Sequence, residues 1–177
     1  MTRALALDDV EALTALYRDN REFLAPWQPL RPDAYFTPSG QRAAVEAVLA
    51  QQAAGVAVPL VVLDGAAVVG TMTLASIIRG AFQSCSVGYW LAEGAQGRGL
   101  ATAALAEAVD LAFGELRLHR VQAETLTHNR RSQRTLERLG FEQYGVARQY
   151  LHIAGQWQDN VLYQLLNPDP DRVVTCR

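Results

Sequence analysis

A short glycine-bearing segment, Gln96-Gly97-Arg98-Gly99-Leu100-Ala101, lies between a predicted strand that ends at Leu91 and a predicted helix that begins near Leu100. Glycine lets the backbone approach a ligand closely. The unpaired N–H groups and the positive dipole end of a helix's first turn favour an anion such as phosphate. A tight turn before a helix also uses glycine for steric reasons alone, so both interpretations stay open at this point. A ligand bound here would be a phosphate or a pyrophosphate.

The segment differs from the two best-known phosphate-binding motifs. No Lys-Ser or Lys-Thr pair follows it, as a P-loop requires, and the chain contains no lysine at all. The third glycine of the dinucleotide-binding fingerprint is also missing at the required spacing. Both of these interpretations are therefore rejected.

Arginines are concentrated further along the chain. Between Arg117 and Arg138 there are six arginines and two glutamates, an excess of four positive charges. This region contains His128-Asn129-Arg130-Arg131-Ser132, at the predicted junction of a strand and a helix. A solvated helix face is the commoner role for any single arginine, and Asn129 and Ser132 are good helix-capping residues. The local charge nevertheless suits an anionic ligand.

The elements that must position these residues follow an α+β pattern. Strand, loop, helix and strand over residues 84–126 form a parallel crossover, with antiparallel strands before it and a closing hairpin after it. We expect one domain over residues 1–167, with a mixed sheet of about seven strands and helices on both faces, and a tail over 168–177. The predicted strands are 2–7, 56–63, 67–78, 84–91, 120–126, 141–153 and 157–166, and the predicted helices begin near Asp8, Ser39, Leu100 and Arg130.

Composition limits the function further. The 177 residues carry 16 cations, all arginine, against 18 Asp and Glu, and 50% of them are hydrophobic. A net charge of −2 argues against whole-surface attraction to nucleic acid or to an anionic membrane. The two cysteines, Cys85 and Cys176, have neither a disulfide framework nor a metal-ligand spacing, so no metal is expected. Without a signal peptide or a spanning segment, the predicted location is the cytoplasm.

The glycine segment and the later asparagine and serine match one family. Gln96-x-x-Gly99-x-Ala101 resembles the acyl-coenzyme A pyrophosphate motif of GNAT acetyltransferases, Q/R-x-x-G-x-G/A. Asn129-x-x-Ser132 followed by Leu139-Gly140-Phe141 resembles a later motif of the same family. The resemblance implies the GNAT fold, with acetyl-CoA bound in the cleft where the parallel central strands splay.

The RimJ/RimL branch, the N-terminal acetyltransferases of ribosomal proteins, is the nearer resemblance. Its patterns recur from Asn20-Arg21-x-Phe23-Leu24-x-Pro26-Trp27 to Gly155-Gln156-Trp157-x-Asp159, so the resemblance covers about residues 3–166. It implies transfer of an acetyl group from acetyl-CoA to the N-terminal amino group of a protein, and it allows a homodimer. Alternatives are acetylation of a small amine, such as an antibiotic, a polyamine or an amino acid, and a non-catalytic acyl-CoA-binding module.

The resemblance also implies roles for individual residues. The backbone at a strand bulge around Trp90 and Leu91 would hold the pantetheine and polarise the thioester carbonyl. Asn129 would hydrogen-bond the pantetheine, and Ser132 would lie near the thioester sulfur. The pyrophosphate would be bound by Gln96, Gly97, Arg98, Gly99, Leu100, Ala101 and Thr102.

Three positions depart from the family pattern. Leu136 replaces a tyrosine that acts as general acid in many GNAT enzymes, so Ser132 or a water must take that part. Tyr144 replaces a glutamate, so a base at that position does not transfer. Asn160 stands where relatives often have histidine after the aspartate.

Glu124 is the first candidate base, since it would point towards the cleft, and His128 is the second. An ion pair with a nearby arginine is the alternative for Glu124. An α-amino group has a pKa of about 7.7–8.0 against about 10.4 for lysine, so an N-terminal acceptor needs only weak base assistance. Aromatic side chains are expected to contact the acceptor, although packing under a long loop would also explain each of them. They are Phe23, Trp27, Tyr35 and Phe36 in the proline-rich segment 20–38, and Tyr150 and Trp157 in the final hairpin.

Overall fold

Seven strands form one mixed sheet in the computed structural model, which describes residues 1–169. They are β1 (Thr2–Ala4), β2 (Val58–Asp64), β3 (Ala67–Ile78), β4 (Ser84–Leu91), β5 (Arg120–Leu126), β6 (Glu142–Ile153) and β7 (Gln156–Leu166). Their order is β1-β2-β3-β4-β5-β7-β6, and only β4 and β5 are parallel. The predicted mixed seven-stranded sheet is confirmed. Cys176 and residues 170–177 of the predicted tail lie outside the described residues.

Helices cover both faces of the sheet, as the sequence predicts. They are α1 (Val10–Asp19), α2 (Arg21–Leu24), α3 (Pro38–Ala53), α4 (Leu100–Gly114) and α5 (Arg130–Arg138). Successive side chains of a strand point to opposite faces. On β2, Leu60 and Val62 therefore join the core under α4, while Val61 joins a second core with α1 and α3. Within residues 1–169, no helix combines the length and the apolar character needed to span a bilayer.

The N-terminal elements differ from the prediction by a few residues. The first strand ends at Ala4 rather than at residue 7, because a 3-10 turn over Leu7–Asp9 follows it. Asp9 stabilises this turn, since its Oδ2 accepts a hydrogen bond of 2.9 Å from the Ala6 N–H. The Arg3 guanidinium binds both Asp9 oxygens, at 2.8 and 2.5 Å. The helix predicted to begin near Asp8 therefore begins at Val10.

Asp9→Asn is expected to lower the free energy of unfolding by about 1–3 kcal/mol at neutral pH, because the variant loses the negative charge and one of the two oxygens that accept hydrogen bonds from Arg3 and the Ala6 N–H. The Arg3 guanidinium lowers the pKa of Asp9. The contribution of the Asp9 carboxylate to stability is therefore complete above its unfolded-state pKa of about 3.9. It is lost as the pH falls through the lowered folded-state pKa. Urea unfolding at neutral pH and at a pH below the lowered folded-state pKa measures the difference in free energy of unfolding between wild type and variant. The control is Asp8→Asn, at the exposed neighbouring position. An equal loss in both variants would contradict the assignment.

The proline-rich segment contains more regular structure than a loop. It holds α2 and two 3-10 turns, Ala25–Trp27 and Asp33–Phe36. The following helix α3 begins at Pro38 rather than Ser39, because Thr37 is its N-cap and accepts a hydrogen bond of 3.1 Å from the Gly40 N–H.

The central parallel strands separate soon after they pair. β4 and β5 are in register only from Ser84↔Arg120 to Ser86↔Gln122. Beyond that point β4 stays paired with β3 up to Leu91, and β5 stays paired with β7 up to Leu126. The pairing of β4 with β3 continues without a register shift through Trp90 and Leu91. The prediction of a strand bulge there is therefore wrong for this pair of strands. The cleft arises because the strands diverge, without an inserted residue.

Candidate active site

Two neighbouring cavities occupy the opening between β4 and β5. The first, of about 380 Å³, lies towards the N-terminal ends of α4 and α5, and the second, of about 390 Å³, lies towards β5 and β7. Five residues line both cavities: Trp27, Tyr89, Trp90, Asn129 and Ser132. The two cavities therefore meet at the ends of the separated strands. A concave site with a few convergent polar groups is the usual form of an active site.

Gln96 ties the glycine segment to the first cavity. Its amide nitrogen donates to the Leu91 carbonyl at 2.9 Å, and its amide oxygen accepts from the Arg131 guanidinium at 2.9 Å. Arg130 and Arg131 both line this cavity, which gives it positive charge. Arg98 does not line it, because its guanidinium is bound to Asp64 at the end of β2.

Gly97 and Gly99 allow the backbone of the segment to adopt a left-handed conformation. Gly97 and Gly99 have φ of 74° and 78°, in the left-handed region that side chains rarely adopt. Gly99 is the N-cap of α4, and the first intrahelical bond runs from the Ala103 N–H to the Gly99 carbonyl. Helical geometry leaves the N–H groups before it without a carbonyl partner inside the helix. These are the N–H groups of Leu100, Ala101 and Thr102, of which Ala101 lines the first cavity.

Ser132 lies at the start of α5, where its hydroxyl reaches the wall common to both cavities. Asn129 is the N-cap of this helix, and its Oδ1 accepts a hydrogen bond of 3.2 Å from the Ser132 N–H. Gln133 anchors the helix to the end of β5 through bonds to the carbonyls of Leu126 and Thr127. Leu136, where the family pattern has tyrosine, is 0% exposed and lines neither cavity.

Trp90 lines both cavities. Its side chain points to the α1 face of the sheet, where the indole N–H donates to the Tyr17 hydroxyl at 2.8 Å. The indole and the Tyr17 ring are also in contact, with centroids 4.5 Å apart. The Trp90 side chain thus fixes the end of β4 against α1.

Tyr89 is a site residue that the sequence analysis missed. Its hydroxyl lies 3.0 Å from Ser132 Oγ, and the residue lines both cavities. Burial raises the pKa of this phenol, while its interactions with the Ser132 and Thr135 hydroxyls oppose the shift. The signal was the strand alternation, which places Tyr89 on the same face as Leu91.

Glu124 lines the second cavity. Its Oε1 accepts a hydrogen bond of 3.3 Å from the Ser86 hydroxyl of β4. Burial raises the pKa of Glu124, and the Ser86 bond partly opposes this. The alternative, an ion pair with an arginine, is not found among the described residues. His128 lines the first cavity instead, with its ring 5.5 Å from that of Trp27.

The aromatic side chains predicted for the acceptor separate into two groups. Phe23 and Trp27 line the first cavity, and Trp27 also lines the second. Tyr35 lines neither cavity and packs on Tyr17 with ring centroids 5.2 Å apart. Phe36 lies under the Arg21 guanidinium, 4.3 Å from its ring centroid. Packing of the long loop therefore accounts for Tyr35 and Phe36.

The two aromatic residues predicted in the hairpin line neither cavity. Trp157 is 62% exposed and contacts His152 across the strand pair. Tyr150 is 44% exposed, and burial, the Glu124 carboxylate and Tyr144 raise its pKa. Tyr144 is bound to Gln122, whose amide donates to its hydroxyl at 2.7 Å.

Other residues of the second cavity were not selected from the sequence as acceptor contacts. Asn160 is 1% exposed and donates to the Gln158 carbonyl at 3.0 Å. Arg31 stacks on the Tyr35 ring, 4.6 Å from its centroid. Gln28 and Leu151 complete this side, and the Gln28 carbonyl accepts from the Ala154 N–H of the β6–β7 turn at 3.0 Å. The proline-rich segment and the final hairpin thus close around the second cavity.

Comparison with known proteins agrees with this arrangement. The sequence profile described as Acetyltransferase (GNAT) domain matches residues 1–142. The [ribosomal protein uS5]-alanine N-acetyltransferase of Escherichia coli is 36% identical over 163 residues, which cover 91% of this chain and 84% of that protein. The chain belongs to the GNAT acetyltransferase family. As a GNAT enzyme it is an acyltransferase.

Solved structures extend the GNAT assignment to the whole fold. The ribosomal-protein-S5-alanine acetyltransferase of Vibrio fischeri has a TM-score of 0.89 at 32% identity, covering 95% of this chain and 93% of that one. Mycobacterium smegmatis RimJ, solved in complex with CoA-disulfide, has a TM-score of 0.90 at 28% identity, covering 93% and 80%. The predicted GNAT fold and the similarity to the RimJ/RimL branch are therefore confirmed.

Proposed function

We propose that this GNAT enzyme transfers an acetyl group from acetyl-CoA to the N-terminal α-amino group of a protein, most specifically a ribosomal protein. The observation that carries the proposal is the pair of cavities that meet at Ser132. One has arginines and a free helix N-terminus, which suit a phosphorylated donor. The other has a partly buried carboxylate, Glu124, which suits an amine.

The first cavity fits acetyl-CoA. The N–H groups at the start of α4 and the guanidinium groups of Arg130 and Arg131 match a pyrophosphate in charge and hydrogen bonding. The apolar side chains of Phe23, Leu24 and Leu91 offer a surface for the pantetheine arm. RimJ of Mycobacterium smegmatis, which has the same fold, was solved with a coenzyme A derivative.

The acceptor class follows from the relatives and from the chemistry of the second cavity. The Escherichia coli relative, 36% identical, is named for the alanine of ribosomal protein uS5. An α-amino group with a pKa of about 7.7–8.0 is partly neutral at pH 7, whereas a lysine amine near 10.4 is not. A single partly buried carboxylate is enough to deprotonate an α-amino group and is less suited to a lysine side chain. A ribosomal acceptor agrees with the cytoplasmic location predicted from the sequence, and homodimer formation stays a prediction.

The proposed reaction is direct attack of the neutral amine on the thioester carbonyl. Glu124 takes the proton of the attacking amine, directly or through one water. Backbone N–H groups at the end of β4 stabilise the developing oxyanion, a role typically worth about 3–4 kcal/mol. The carbon–sulfur bond then breaks, its electron pair stays on sulfur, and the Ser132 hydroxyl donates a hydrogen bond to the thiolate.

Glu124→Gln is expected to lower kcat/KM about tenfold at neutral pH, because an α-amine needs only weak base assistance. Wild-type activity falls with decreasing pH as the amine becomes protonated, and more steeply once Glu124, whose pKa is raised by burial, is also protonated. The variant should show only the first of these two losses. A pH profile of kcat/KM measures this, with the exposed Glu142→Gln as control. Identical acid limbs in wild type and variant would rule out Glu124 as the base.

Thiol release from acetyl-CoA tests the proposed function. Peptides that begin with alanine or serine are compared with N-terminally blocked copies and with a panel of small amines. Release with the free peptides alone supports the proposal. Release with a small amine alone supports the alternative acceptor, and binding of acetyl-CoA without release by any acceptor supports the non-catalytic alternative.

A further inference from the structure

Three hydroxyl groups form a chain beside the point where the cavities meet. The Tyr89 hydroxyl lies 3.0 Å from Ser132 Oγ, and the Thr135 hydroxyl also affects the pKa of the phenol. Thr135 Oγ1 donates to the Arg131 carbonyl at 3.1 Å, one turn earlier in α5. Ser132 and Thr135 thus face the same phenol from positions about one turn apart on α5.

The number of hydrogens in this chain limits its arrangements. Each hydroxyl donates one hydrogen bond, and the hydrogen of Thr135 is used by the Arg131 carbonyl. The Tyr89 hydrogen can therefore go to Thr135 or to Ser132. If it goes to Thr135, Ser132 donates to Tyr89 and its hydrogen points away from the cavities. If it goes to Ser132, the hydrogen of Ser132 is free to point into the first cavity.

We propose that Tyr89 is a positioning residue, whose hydroxyl donates to Ser132 Oγ and thereby directs the Ser132 hydrogen at the departing sulfur. This inference rests on the proposed acetyl transfer. Negative charge on sulfur selects the second arrangement, because only that arrangement presents a hydrogen to the thiolate. Tyr89 therefore acts through Ser132 and need not touch the substrate.

The phenol keeps its own proton during the step. Burial raises the pKa of Tyr89, so a buried phenolate is disfavoured at neutral pH. The electron pair of the broken carbon–sulfur bond remains on sulfur, which takes its proton from water after the product leaves. The amine proton goes to Glu124, so no proton is drawn from the three hydroxyls.

Tyr89→Phe, Ser132→Ala and the double variant test this coupling. Tyr89→Phe is expected to lower kcat about fivefold with an unchanged dissociation constant for acetyl-CoA, as the loss of one neutral hydrogen bond predicts. In the Ser132→Ala background the same change should have no further effect on kcat, because the residue through which Tyr89 acts is gone. An unchanged kcat in Tyr89→Phe, or an equal loss in both backgrounds, would overturn the inference.

Tyr163→Phe is the matched control. Tyr163 is also buried, and its hydroxyl also binds a residue of α5, Glu137, at 3.2 Å, but it lines neither cavity. Its removal should leave kcat unchanged. If wild type, Tyr163→Phe and Tyr89→Phe are all fully active, the proposed role of Tyr89 is rejected while the proposed function stands. Wild type that releases no thiol with any acceptor would reject the proposed function instead.

Thr135→Val is a second, independent variant. It removes the competing acceptor, so the Tyr89 hydrogen has only Ser132 left, and kcat should rise about twofold. A fall in kcat to the level of Tyr89→Phe would show that Thr135 supports the active arrangement rather than competing with it, which would overturn the proposed direction of the chain.

Discussion

Ser132→Ala is expected to lower kcat about 100-fold, because a hydrogen bond to a developing thiolate is charge-assisted and contributes up to about 3 kcal/mol. The dissociation constant of acetyl-CoA should stay nearly the same, since the hydroxyl meets the sulfur's charge only as the bond breaks. Steady-state thiol release gives kcat, and calorimetric titration gives the dissociation constant. The backbone contact that orients the residue, from its N–H to Asn129, is kept in the variant.

Ser39→Ala controls for the loss of a serine hydroxyl. Ser39 is exposed at the start of α3 and lines neither cavity, and its hydroxyl lies 3.1 Å from that of Thr37. This variant should match wild type in both measurements. If Ser132→Ala weakens acetyl-CoA binding by the same factor as it lowers kcat, then Ser132 only positions the donor, and its proposed contact with the thiolate is wrong.

Gly99→Val is expected to weaken acetyl-CoA binding about 100-fold or more, because the branched side chain blocks the phosphate. Its strain in the left-handed region, about 1–3 kcal/mol, lowers the stability of the free and the bound protein alike. The φ of Gly99 is 78°, and a Cβ there would meet no protein atom within 4 Å. The side chain would therefore occupy open space next to the first turn of α4, where the pyrophosphate is proposed to lie. Calorimetric titration with acetyl-CoA measures the change.

Gly55→Val separates strain from ligand exclusion. Gly55 follows α3 with a φ of 73°, and a Cβ there would also meet no protein atom within 4 Å. Both variants should lose similar free energy of unfolding, while only Gly99→Val should lose affinity. Unchanged titration in Gly99→Val would refute the phosphate-binding role of the segment.

Most of the fold could be predicted because its signals are local. The parallel crossover follows from the order of β4, α4 and β5, and its apolar helix shows an alanine-rich side against the sheet. The glycine segment was recognisable as a candidate phosphate site because left-handed glycines at a helix start leave a strong trace in sequence. Asn129 was likewise predictable as the N-cap of α5.

The parts that could not be predicted depend on contacts between distant segments. How far β4 and β5 stay paired is decided by packing, so the cleft was expected from the resemblance, but the short extent of the pairing was not predicted. From the sequence alone, Tyr89 is predicted to be a core residue, and only the fold shows that α5 places Ser132 against it. Tyr35 reads as a binding residue until the fold places it on Tyr17. Alternation shows which face a side chain occupies, but not what lies opposite.

The position of the transferred acetyl group is the most direct test of the proposed activity. The enzyme is incubated with acetyl-CoA and a peptide that begins with alanine and contains one internal lysine, and tandem mass spectrometry locates the modified nitrogen. The proposal predicts acetylation of the α-amino nitrogen, with the lysine side chain unmodified. Acetylation of the lysine, or an unmodified peptide alongside an acetylated small amine, would contradict it.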